Sequence, residues 1–153
     1  MTKSREREKS PVKEIMCLSN LIKRELDSAR SERDDTVTPM HGFIIGYVAK
    51  NHDRDIFQKD IEKAFSYRRS TASTVLGLME EKGLIERVSV PYDARLKKIV
   101  LTEEAKRFAE SCYEDGRSLD EKILAGLTPD ETENLFSVLE KIRNELKGDG
   151  REQ

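Results

Sequence analysis

Between Phe57 and Leu101 the apolar residues change period, and that change limits the fold more than any other feature of the chain. Ile61, Ala64 and Phe65, then Ala72, Val75, Leu76 and Met79, recur at steps of three and four, the spacing of one helix face. A polar break at Ser66-Tyr67 separates the two runs, and Gly83 ends the second. LIERVSV (84–90) and KIVL (98–101) follow, short and β-branched, on either side of PYDARLK. The pattern predicts two short helices joined by a tight turn, the second running to about Lys82, then a hairpin with a charged tip. Asp55 and Gln58 are spaced to cap the first helix reciprocally, with Phe57, Ile61, Ala64 and Phe65 inward.

Residues 1–11 are polar and expected to fray. A helix is predicted over 12–30 from Ile15, Leu18, Ile22, Leu26 and Ala29, and SERDDTVTP breaks it. Thr38-Pro39 is a start signal, because a hydroxyl can cap and a proline sits where no amide hydrogen is needed. Met40, Phe43, Ile44, Tyr47 and Val48 form the stripe of the helix it opens, which stops at Lys50–Asp53. After the hairpin, Thr102 caps a helix over 103–126 whose stripe holds Ala105, Phe108, Cys112, Leu119 and Ile123. Thr128-Pro129-Asp130-Glu131 is a capping box opening a last helix over 129–147, with Leu135, Phe136, Leu139, Ile142 and Leu146. The expected fold is mainly α with a small β-wing: a winged helix-turn-helix of six helices.

The terminal helices have little to bury against within one small lobe, so a second copy of the chain is the economical partner. The expected organisation is a dimerisation region from 1–35 and 103–153 around a DNA-binding lobe at 36–102.

Charged residues make up 38% of the chain, but their signs nearly cancel at a net charge of -2, which favours solvated helix faces over disorder. The cancellation hides an asymmetry. Seven cations and four carboxylates between Ser66 and Lys98 net +3, whereas Phe108–Lys147 nets -5. Phosphates would attract the first segment and be repelled by the second. Arg68, Arg69, Ser70, Thr71, Ser73 and Thr74 fill the first two turns of the second short helix, the part that enters a major groove in this fold. Arginine can pair bidentately with guanine, and the hydroxyls serve bases or phosphates.

No apolar run approaches the roughly 18 residues of a membrane span, and MTKSREREKS leads into no signal-peptide pattern, so the expected location is the cytoplasm. Cys17 and Cys112 make no disulfide framework and no metal-ligand spacing. With His41 and His52 the only histidines, and no phosphate loop, dinucleotide fingerprint or H-E-x-x-H, no enzyme, cofactor or metal site is expected.

FQKDIEKAFSYRRSTASTVLGLMEEKGLIERV followed by YDARLKKIVLT resembles the DNA-binding region of the MarR family of bacterial transcription regulators. The resemblance rests on R-S-T-x-S opening the reading helix, L-M-E-x-K-G-L-I-x-R leading into the first wing strand, and D-x-R before a basic strand ending L-T, together about Phe57 to Thr102. It implies a homodimer, most often a repressor, on a palindromic operator in double-stranded DNA. It also implies that Arg95 enters the minor groove, oriented by Asp93, with Lys97 and Lys98 on the basic strand behind it. Where relatives often carry a small polar cap this chain has Tyr67-Arg68, which leaves the start of the reading helix open by a residue or two.

The resemblance further implies release of DNA by a small aromatic or phenolic effector bound between the dimer helices and the lobe. Leu18, Ile22, His41, Phe43 and Tyr47 are the candidates, each with core packing as the plainer reading. Cys17 lies where some peroxide-sensing relatives keep a cysteine, but a buried structural thiol is the expectation, and Cys112 is expected to be inert. Two alternatives stay open: a cysteine-based redox regulator, and a winged helix used for protein contact. The basic, hydroxyl-rich reading helix favours DNA over the latter.

Overall fold

The computed structural model describes residues 9–30 and 37–148. Of the fraying expected over 1–11, residues 1–8 lie outside the described residues, as do 31–36, most of the SERDDTVTP break, and 149–153; at Pro11 the chain is already helical. The element order is α1 (Pro11–Arg30), α2 (Pro39–Lys50), α3 (Gln58–Phe65), α4 (Arg69–Glu81), β1 (Ile85–Val90), β2 (Asp93–Leu101), α5 (Glu103–Leu124) and α6 (Pro129–Gly148). The chain divides into two compact units, Met1–Gly116 and Arg117–Gln153.

The first unit holds the core. Ile44, Ile45 and Val48 of α2, Ile61 of α3 and Leu76 and Met79 of α4 meet Leu84, Ile85, Ile99 and Leu101 of the hairpin. Two features of α2 and α3 differ from expectation. Met40 and Phe43 are exposed while Ile45 is fully buried, because α2 is enclosed on a broad arc rather than along one stripe. Ala64 is likewise exposed, since α3 is short and turns only Ile61 fully inward, with Phe57 and Phe65 half-buried.

The caps explain where the helices begin and end. At α2 the Thr38 hydroxyl accepts from the His41 amide at 3.2 Å, and His41 Nδ1 accepts from the Thr38 amide at 3.4 Å. The reciprocal Asp55–Gln58 cap expected for α3 does not form. Phe57 is the N-cap, and its amide donates to the Asp60 carboxylate at 2.8 Å. Asp55 is drawn away by Lys98, 3.1 Å from it, and Gln58 donates instead to Glu62 at 3.1 Å and to the Arg69 carbonyl at 3.4 Å.

Both short helices end on a left-handed residue. Ser66 has φ 54°, and Tyr67 closes back on the Glu62 carbonyl at 3.0 Å; Gly83 has φ 69°, and Leu84 closes back on the Met79 carbonyl at 2.9 Å. The Thr102 hydroxyl caps α5 through the Ala105 amide at 3.2 Å, and Thr128 and Glu131 cap α6 reciprocally at 3.2 and 2.9 Å.

The wing is longer and its tip tighter than the sequence implied. β2 begins at Asp93, so only Pro91-Tyr92 form the turn, not all of PYDARLK. The antiparallel register runs from Ile85↔Leu101 to Ser89↔Lys97, then jumps to Val90↔Asp93, leaving Ala94–Leu96 as an irregularity within the strand.

Candidate nucleic-acid interface

The reading helix presents its polar turns outward because its apolar residues are committed inward. Ala72, Leu76 and Met79 are buried, whereas Arg68, Arg69, Ser70, Thr71, Ser73 and Thr74 are all exposed. Arg68 is the N-cap and Arg69 the first helical residue, which settles the start of α4. Neither guanidinium has an ion-pair partner among the described residues. Thr74 donates its hydroxyl hydrogen to the Ser70 carbonyl at 3.0 Å, which keeps the oxygen lone pairs outward. Behind the turn, Tyr47 meets Phe65 edge-on at 5.8 Å and Phe65 stacks on Tyr67 at 6.0 Å. Burial holds the Tyr67 phenol above its ordinary range.

On the wing, the Asp93 carboxylate accepts from the Arg95 amide at 2.9 Å and lies 3.4 Å from Arg95 Nε. The Arg95 side chain is nevertheless 92% exposed, a cation held at its root and free at its tip. Lys97 donates to the Ser89 hydroxyl at 2.9 Å across the hairpin. Lys98 is turned the other way, half-buried against Asp55. Tyr92 also reaches Asp55, its hydroxyl donating at 3.5 Å. Loss of hydration and then the Asp55 charge hold the Tyr92 phenol above its ordinary range.

The expected effector residues are not brought together. His41 is buried in the α2 capping box, Tyr47 packs on Phe65 and accepts from Arg54 at 3.0 Å, and Leu18 lies exposed on α1 with Ile22 half-buried. Phe43 alone of the five lines a cavity of about 50 Å³ between α1, α2 and α5, together with Leu26, Val37, Gly42, Phe108 and Cys112. The signal for that cavity was present in the spacing of Phe108, Cys112 and Gly116 along α5, opposite Gly42 and Phe43. A Cβ on Gly42 would lie 3.3 Å from the Cys112 sulfur, a tight contact that the Cys112 side chain would have to relieve by a few tenths of an ångström. Cys17 is exposed in this chain rather than buried, because α1 presents most of its length outward. No group of three or more His, Cys, Asp or Glu side chains that could hold a metal ion occurs among the described residues, and none of their helices is long and apolar enough to cross a membrane.

A helix-turn-helix with its second helix polar and basic on the outside, followed by a two-stranded hairpin carrying a projecting arginine, defines a winged helix-turn-helix protein. The MarR family's sequence profile matches residues 35–96. YwhA of Bacillus subtilis (strain 168), an uncharacterized HTH-type transcriptional regulator, is 27% identical over 134 residues, 84% of this chain and 94% of that one. The crystal structure of the transcription regulator MarR from Oenococcus oeni PSU-1 matches with a TM-score of 0.78 at 26% identity, over 88% of this chain and 99% of that one. MepR of S. aureus in its DNA-binding conformation matches with a TM-score of 0.77 at 25% identity, over 90% and 99%. Over most of its length the chain is similar to winged helix-turn-helix transcription regulators of the MarR family, which are regulators and not enzymes, and residues 35–96 carry that family's profile.

Proposed function

We propose that this regulator acts in the cytoplasm as a homodimeric repressor on a palindromic operator. One observation carries the DNA-reading part: Arg68, Arg69 and four hydroxyl residues are exposed on the first two turns of α4, and neither arginine is neutralised among the described residues. In this reading Arg68, Arg69, Ser70, Thr71, Ser73 and Thr74 meet the major groove, and Arg95, oriented by Asp93, meets the minor groove or its phosphates. Lys97 adds a phosphate contact, and Lys98 serves by holding the wing to Asp55. Residues 36–102 form the reading lobe, and the helices of 1–35 and 103–153 pair with those of a second copy. A two-fold dimer spaces its reading helices by about one DNA turn, ~34–36 Å. An aromatic effector would enter beside Phe43 and Phe108, widening the interhelical cavity and releasing DNA.

The test is an anisotropy titration of the full chain against its own upstream intergenic duplex and a shuffled duplex at ~150 mM salt. A preference of at least about a thousandfold, saturating at one dimer per duplex, is expected. Equal weak binding to both would sink the assignment and point to a protein partner for the winged helix.

A further inference from the structure

We propose that the groove at the root of the wing is a binding site for a small aliphatic anion, a short- or medium-chain carboxylate, whose occupation loosens the wing; the loosening, though not the binding, rests on the DNA-reading function above. The groove lies among the C-terminal end of α2, the loop before α3, the end of β2 and the first turns of α5, and measures about 420 Å³. That volume falls in the range of small-molecule sites, whereas the interhelical cavity measures about 50 Å³.

Its chemistry divides into floor and rim. The floor is aliphatic core: Val48, Ile56, Ile99 and Leu101 are all buried, and among the described residues no Phe, Tyr or Trp lines the groove. The rim carries Arg54, Lys98, Lys106, His52 and the Asn51 amide, against one lining carboxylate among the described residues, Asp55. An aliphatic floor under a cationic rim fits a hydrocarbon tail with an anionic head. The cations are paired at 3.2 Å (Arg54–Asp60), 3.1 Å (Lys98–Asp55) and 2.8 Å (Lys106–Glu103). The Arg54 and Lys106 pairs are largely solvent-exposed and contribute at most about 1 kcal/mol each, so sharing those cations with a ligand carboxylate costs little, whereas the Lys98–Asp55 pair is half-buried.

Lys98 connects the groove to the wing. Asp55 tethers β2 through Lys98 at 3.1 Å and the wing turn through the Tyr92 hydroxyl at 3.5 Å, beside a backbone bond from Ile99 to the Ile56 carbonyl at 2.7 Å. A carboxylate at Lys98 competes with Asp55 for its ammonium. The tether that positions Arg95 is thereby weakened, and by linkage DNA and the anion oppose one another's binding.

The probe is hexanoate, with 1-hexanol as the uncharged control, titrated into the full-length protein and followed by amide chemical shifts. Saturable shifts are expected at 51–56 and 98–101 with hexanoate and not with hexanol, and Lys106→Gln should weaken them about two- to fivefold. Absent saturation, an equal response to hexanol, indifference to Lys106→Gln, or shifts centred on 37–43 and 108–116 would each overturn the site. Hexanoate is then added to the anisotropy titration, where the operator Kd should rise. An unchanged Kd at saturating hexanoate overturns the loosening, whereas failure to bind DNA without hexanoate tells against the function proposed above and leaves the site to the shift data.

Discussion

At the scale of single residues, the reading helix and wing divide two tasks between two arginines. Arg69 at the first position of α4 is placed to read a base, so Arg69→Ala should relax preference at one operator position by about 1–3 kcal/mol, measured by competition with single-base variants. Arg95 projects from a wing held by Asp93, so Arg95→Ala should weaken all duplexes alike and reduce the salt slope by about one. Unchanged affinity in both variants would sink this division. The two left-handed helix ends make an opposed pair for stability. Gly83→Ala forces a Cβ into a left-handed backbone and should cost about 1–2 kcal/mol, whereas Ser66→Gly relieves the same strain and should gain about 0.5–1 kcal/mol, both read from chemical denaturation. Gly83 was legible as a helix end because glycine announces that conformation; Ser66 was legible only as a polar break, because serine does not.

At the scale of elements, capping residues that sit next to one another in sequence were legible, and those competed for from a distance were not. Thr38-Pro39, Thr102 and Thr128–Glu131 all cap as their spacing implies. Thr38→Ala should therefore cost about 1 kcal/mol and lower the melting temperature by about 2–4 °C in a thermal scan. Asp55 had the right spacing to cap α3, but Lys98, 43 residues away, takes its carboxylate. The same non-local contact pairs Lys98, expected to meet DNA, with Asp55 at 3.1 Å. The wing turn is tighter than PYDARLK implies for a related reason: Asp93 belongs to β2 because Val90 pairs with it across the hairpin, and cross-strand pairing has no signature in a run as polar as PYDARLK.

At the scale of the whole molecule, apolar surface and charge both call for partners. Leu18 on α1 is 58% exposed and Phe136 on α6 59%, and α6 has no buried residue at all. Phe136→Glu should shift the protein from dimer to monomer in sedimentation at micromolar concentration, and the wild-type melting temperature should rise with protein concentration. A +3 reading segment and a -5 C-terminal portion within a chain of net charge -2 make DNA binding strongly salt-dependent. Affinity should fall at least about a thousandfold between 50 and 200 mM salt if six or more phosphates are contacted.

The element order, the helix-turn-helix and its outward polar face are legible before any folding, because each follows from spacings of three, four or two along a short stretch of chain. Which basic residues find ion-pair partners, and where cavities open, depends on long-range packing. Lys98 pairs with Asp55 while Arg68 and Arg69 have no ion-pair partner among the described residues, and His41 takes part in a cap and Tyr47 in an aromatic contact while Phe108 and Cys112 line a space. These outcomes depend on which residues meet after the chain has folded back on itself, and periodicity carries no record of that.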